Sequence, residues 1–330
     1  MNRRALISLV GGAAAWPLGA RAQQSERMRR IGVLMGAFAE SDREGQTFVA
    51  AFREGLRKSG WTEGRNIRID TRWVAGETEG MQRLAKELVA LQPDLIVSAN
   101  TPTTAALLQQ TRTIPIIFVN VADPVGSGFV ASLSRPGGNI TGFITMEPTM
   151  GGKWLELLKE IAPPVTRVAL LFNPATATYF DIYLKPFKAA ALSFGVEAIA
   201  APVHDSSDIE SVLAAQVREP NGGLIVVPDV FLIAHRETIT SLAARYRLPA
   251  VYPFRMFTDV GGLLSYGNEL IDNYRRTASY VDRILKGEKP NELPVQIPVK
   301  FELVINLKTA KALGLEVPLF LQQRADEVIE

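Results

Sequence analysis

The 330-residue chain contains no cysteine. That excludes disulfides, thiolate metal sites, cysteine nucleophiles and lipid attachment through a thiol. It has only two histidines, His204 and His235, which all but removes a multi-histidine metal centre. The common enzyme signatures are missing as well: there is no G-x-S-x-G, no G-x-x-x-x-G-K-[ST] and no H-E-x-x-H. Gly126-Ser-Gly128 lacks the third glycine of a dinucleotide loop and follows Asp-Pro instead of a strand. No cofactor and no metal are therefore expected.

Charge of one sign is also in short supply once the N-terminus is considered. Arg3 and Arg4 precede the uncharged stretch Ala5–Ala20, which at 16 residues is too short and too rich in Gly and Ala to anchor in a bilayer. Ala20-Arg21-Ala22 then offers a small-x-small cleavage pattern before Gln23. A basic start, a short apolar stretch and such a site read as an export signal over residues 1–22, of either the twin-arginine or the general-secretion kind. The formal net charge of +2 comes from 36 basic and 34 acidic residues, and the signal holds three of the basic ones and no acid. The mature chain thus carries 33 against 34, a net of −1, and nucleic acid is excluded as an expected partner.

What the sequence does have is 47% hydrophobic residues, enough for sizeable cores, and a length that fits two domains. Short apolar runs alternate with helical periodicity. Strands are expected over Arg30–Met35, Asn66–Val74, Asp94–Ala99, Ile114–Val121 and Asn139–Ile144, with helices between them. The pattern restarts after Trp154: strands over Arg167–Phe172, Val196–Val203, Gly223–Val227, Pro249–Phe254 and Gly262–Tyr266, with helices over Tyr179–Phe194, Ser206–Val217 and Phe231–Tyr246. The order strand, helix, hydrophobe-Pro, strand occurs twice, from Leu95–Asn100 to Ile114-Pro115 and from Leu224–Asp229 to Leu248-Pro249. The fold class expected is α/β, with two Rossmann-like lobes built on parallel sheets.

Parallel sheets of this kind bind ligands beyond the carboxyl ends of their strands. Ser98, Asn100, Thr101, Thr103 and Thr104 lie where a strand ends and a helix begins, and hydroxyls with free backbone N–H groups there suit an anion or simply cap the helix. Asn120, Asp123, Asn173 and Asp229 also follow strands. Each aspartate could meet a ligand ammonium or serve its own turn. Phe38, Tyr252, Phe254 and Tyr266 could stack on an apolar ligand or fill the core.

Several segments together resemble an ABC-transporter substrate-binding protein of the tryptophan/tyrosine-type solute-binding family: RIGVLMGAFAE, DLIVSANTPTTAAL, IPIIFVNVADPVGSGFVASLSRPGGNITGF and RVALLFNP. The resemblance spans about residues 29–315 and is most specific in DPVGSGFVASLSRPGGNITG. It implies the type I periplasmic-binding-protein fold, with two lobes joined by a three-strand hinge. Residues 27–145 plus 268–298 would form lobe one, and 146–267 plus 299–330 lobe two. It further implies a monomeric periplasmic receptor, soluble after cleavage near Ala22. Such a receptor captures a small carboxylate-bearing solute, such as an aromatic amino acid, for an ABC permease and its ATPase. The solute carboxylate would meet Ser98, Asn100, Thr101, Thr103 and Thr104, and its amino group Asp123 and Asp229. Val230 stands where a second acidic residue beside Asp229 would strengthen that contact. Two other readings share the export signal and the α/β pattern: a ligand-sensing module of a signalling system, and a secreted α/β hydrolase with His204 as its base.

Overall fold

The computed structural model describes residues 27–330. The export signal expected over residues 1–22 lies outside them. Two sheets organise the chain. In the first, β1 (Arg29–Met35), β2 (Ile67–Trp73), β3 (Leu95–Ala99), β4 (Ile116–Val121) and β5 (Ile140–Ile144) pair in the order β2-β1-β3-β4-β5, all parallel. Helices cover both faces, so the central strands can be continuously apolar; every residue of β3 is buried.

In the second sheet β6 (Arg167–Phe172), β7 (Glu197–Pro202), β8 (Gly222–Val226), β9 (Ala250–Tyr252), β10 (Leu264–Asn268), β11 (Phe301–Asn306) and β12 (Glu327–Ile329) pair in the order β12-β11-β10-β9-β8-β6-β7. The pairing is parallel except between β10 and β11, which run antiparallel. The two copies of the repeated order seen in the sequence fold alike: β3 and β4 are adjacent parallel strands, as are β8 and β9.

The chain passes between the sheets three times, which makes this the type I periplasmic-binding-protein fold. The first passage follows β5 and leads into the helix Met150–Ile161. The second follows β10 into the helix Leu270–Leu285, which returns to the first sheet. There its Phe48–Tyr274 stack spans 5.0 Å to the helix Arg43–Lys58, and Trp61 Nε1 donates to Asp282 at 2.9 Å. The third leaves the edge of β5, where Gln296 N donates to Gly142 O at 2.8 Å, and enters β11.

Two elements differ from the expectation. The helix foreseen over Phe231–Tyr246 is two helices, Val230–Ala234 and Arg236–Arg245, broken at His235. The break lets the first helix turn Val230 and Ile233 toward the space between the lobes, while Ile239 and Leu242 of the second enter the core. The chain after residue 300 carries elements not assigned from the sequence: β11, two short helices and β12. The strand β11 ends at Asn306, whose side chain caps the helix Leu307–Leu313 by accepting from Thr309 N at 3.0 Å.

Candidate functional site

The carboxyl ends of β1, β3 and β4 face those of β8 and β9 across a gap, and a cavity of about 40 Å³ lies between them. Its floor on the first lobe is Gly36, Asn100 and Asn120. Gly36 is required by proximity: a Cβ there would stand 2.2 Å from Asn100 Nδ2. Asn100 and Asn120 both adopt positive φ, 110° and 59°, a conformation costly for any residue with a side chain and common at ligand clamps. Their oxygens are already used. Asn100 Oδ1 accepts from Thr103 N at 3.2 Å, and Asn120 Oδ1 accepts from Asn273 Nδ2 at 2.7 Å. The Nδ2 group of each is the one left without a partner among the described residues.

The opposite wall is Asp229 with Pro228, Val230 and Ile233. Asp229 is 1% exposed and caps its short helix, accepting from Phe231 N at 2.9 Å. Thr176 Oγ1 donates to it at 2.6 Å and Asn173 N at 2.7 Å. No cation pairs with it among the described residues. Burial therefore pushes its pKa up to about 6, with the hydrogen bonds from Thr176, Asn173 and Phe231 opposing the shift. Aromatic rings close the sides: Phe38, Phe48, Tyr274, Phe254 and Tyr179. A wider gap of about 530 Å³ continues past Tyr179 to Thr101, Asp123 and Asp181. Across the other side of the cleft, Arg236 Nη2 donates to Asp42 at 2.7 Å, with both side chains largely buried. The lobes are thus in direct contact.

A family model described as ABC transporter substrate binding protein matches residues 37–329. The chain belongs to that family. A crystal structure from Streptococcus pneumonia, an ABC domain in complex with L-Trp, shares 26% identity and a TM-score of 0.83, covering 92% of this chain and 100% of that one. A conserved domain protein from Vibrio cholerae O1 shares 28% identity and a TM-score of 0.84 over the same shares. A tyrosine-binding protein of Clostridioides difficile (strain R20291) is 26% identical over 265 residues, 80% of this chain and 76% of that protein. The chain is therefore the solute-binding component of an ABC transporter and not an enzyme. Proteins of this family work with transporter components and lie outside the cytoplasmic membrane. Among the described residues no helix is long and apolar enough to cross a membrane.

Within this substrate-binding protein the residues singled out in the sequence separate into layers. Phe38, Asn100, Asn120 and Asp229 line the cavity, with Phe254 beside them. Thr101 and Asp123 line the wider gap, where Asp123 also accepts from Gly126 N at 2.8 Å. Ser98, Thr103 and Thr104 are fully buried beneath Asn100 and bond to one another, Ser98 to each threonine at 2.9 Å. Asn173 supports Asp229 from behind. Tyr252 belongs to the core, stacked on Phe257 at 5.0 Å, and Tyr266 stacks on Phe301 at 6.1 Å; neither borders the cavity. His204 is exposed and pairs with Asp208 at 3.2 Å. Phe48, Tyr274 and Tyr179 are not among the residues singled out, because an aromatic on a helix face, as Phe48 and Tyr274 are, or in the turn before a helix, as Tyr179 is, looks like any core residue in sequence.

Proposed function

We propose that the protein is an exported periplasmic receptor that captures an aromatic amino acid, or a close relative bearing a carboxylate, and presents it to an ABC permease and ATPase for import. Asp229 carries this reading: it is a buried carboxylate that meets no cation among the described residues, and the Nδ2 groups of Asn100 and Asn120, likewise without a partner there, line the same cavity. The ligand ammonium lies on Asp229, and its carboxylate accepts from Asn100 Nδ2 and Asn120 Nδ2. Its side chain packs among Phe38, Phe48, Phe254 and Tyr274. Thr101 and Asp123 flank the entrance, and Ser98, Thr103, Thr104 and Asn173 hold the contacting groups in place. The relatives named for tyrosine and for L-Trp support the aromatic class.

A cavity of about 40 Å³ holds only a few waters, so the solute enters when the lobes part and is enclosed when they meet. In this reading 27–145 with 268–298 and 146–267 with 299–330 move as the two bodies. Residues 1–22 direct export and are removed after Ala22, leaving a soluble monomer. The test is a thermal-shift and calorimetric series of the mature protein with L-tyrosine, L-tryptophan and their deamino acids. The amino acids should raise Tm progressively, with the logarithm of ligand concentration above Kd, and the deamino acids should bind more than ten-fold more weakly. No shift with any aromatic amino acid or other small carboxylate rules the reading out.

A further inference from the structure

A second cavity, of about 280 Å³, adjoins the cleft and shares Phe48, Phe254 and Leu270 with it as walls. It sits where the second passage joins the lobes, and Asn268, the last residue of β10, borders it. Asn268 is 2% exposed, yet neither its Oδ1 nor its Nδ2 has a hydrogen-bond partner among the described residues. A buried polar group left in that state is costly and calls for an occupant that supplies the missing bonds.

The charges around the cavity say what that occupant is. Arg255 is taken by Glu302 at 3.3 Å, Asp259 at 3.4 Å and Glu327 at 3.0 Å. Glu269 is met by Arg275 at 3.5 Å and Lys300 at 3.7 Å. Arg236, the other cation near Glu44, is engaged by Asp42. Glu44 itself forms no ion pair among the described residues, is half-buried and lines the cavity. Burial and the neighbouring Asp259 and Asp42 all disfavour its charge, against Arg236 and Arg255. One carboxylate in excess, an unmet amide and the rings of Phe48 and Phe254 together match a compact cation with an apolar body.

We propose that this cavity is a second binding site, which takes a small organic ammonium ion with an apolar body and is separate from the cleft around Asp229. The ammonium faces Glu44 and donates to Asn268 Oδ1, while the apolar part rests on Phe48 and Phe254. Glu44 and Phe48 come from the first lobe and Phe254 and Glu302 from the second, so occupancy favours the closed arrangement and couples positively to the cleft ligand. The proposal stands whether or not the cleft takes an aromatic amino acid.

Phenethylamine, which has an ammonium and a ring but no carboxylate, is the probe. Titrated into the mature protein, it should give a saturable rise in Tm and a calorimetric isotherm. The Asp229→Asn variant should keep that isotherm, and Glu44→Gln should weaken it at least ten-fold. Asn268→Leu should weaken it likewise; should that variant not fold, Glu44→Gln decides alone. Absence of saturable binding overturns the proposal. So does binding that is lost in Asp229→Asn, which puts the amine in the cleft, or binding that survives unchanged in Glu44→Gln.

Discussion

Asp229 receives hydrogen bonds from Thr176, Asn173 and Phe231 but no positive charge from its own chain among the described residues. Its pKa of about 6, against an ordinary 3.8, means the folded ligand-free protein holds this proton more tightly than the unfolded chain does. Protonation therefore stabilises the fold as pH falls below about 6, and that contribution is lost as pH rises through 6. A ligand ammonium favours the ionised form, so affinity should be full near pH 7.5 and fall as pH drops through 6. Calorimetry at pH 6 in two buffers of different ionisation enthalpy should show proton release on binding. Asp229→Asn should abolish that release and weaken ammonium-bearing ligands by about 10- to 100-fold, the scale of one charged hydrogen bond. Gly36→Ala should displace the Asn100 amide and lower ligand affinity at least ten-fold, with about 1–3 kcal/mol of stability lost in urea unfolding. Asp229, Asn100 and Asn120 could be singled out in the sequence because each lies at or just past the carboxyl end of a buried strand, and the structure sets all three along the cavity. Ser98, Thr103 and Thr104 look equally available in sequence, yet their hydroxyls are consumed by one another. Which side chain satisfies which is a matter of tertiary geometry that spacing does not carry.

Among the elements, the helix pair Arg43–Lys58 and Leu270–Leu285 forms a close junction beside the cleft. A Cβ on Gly55 would lie 2.7 Å from Ala278 Cβ and 2.9 Å from the Arg275 carbonyl, so these helices approach at a point only glycine fills. Gly55→Leu should cost more than about 2 kcal/mol in urea unfolding and should weaken ligand binding as well, because Phe48 and Tyr274 on the same pair wall the cleft. Most strands and helices could be read from apolar runs and 3.6-residue periodicity. The break at His235 could not, since Phe231 to Tyr246 keeps a helical period and the interruption serves the cleft face. Nor could the antiparallel pairing of β11 with β10, because direction in a sheet follows the route of the chain and not the residues of the strand.

For the whole molecule, the link from Asp42 to Arg236 joins the lobes across the cleft in a largely buried setting. Arg236→Met keeps the apolar stem but removes the link. It should weaken cleft ligands about ten-fold, raise the dissociation rate, and increase the radius of gyration of the ligand-free protein in X-ray scattering. A variant with unchanged affinity and scattering would mean that the pair does not contribute to closure. The twin repeats around Leu95–Asn100 and Leu224–Asp229 announced two similar halves in the sequence, whereas the threefold passage between them followed only from family resemblance. That threading also sets a timetable. The helix Leu270–Leu285 completes the layer over the first sheet, yet it is synthesised only after five of the seven strands of the second sheet. An emerging chain thus cannot finish its first half until most of its second has been made, and the contacts that close the first half join residues more than two hundred positions apart, as Trp61 and Asp282 are.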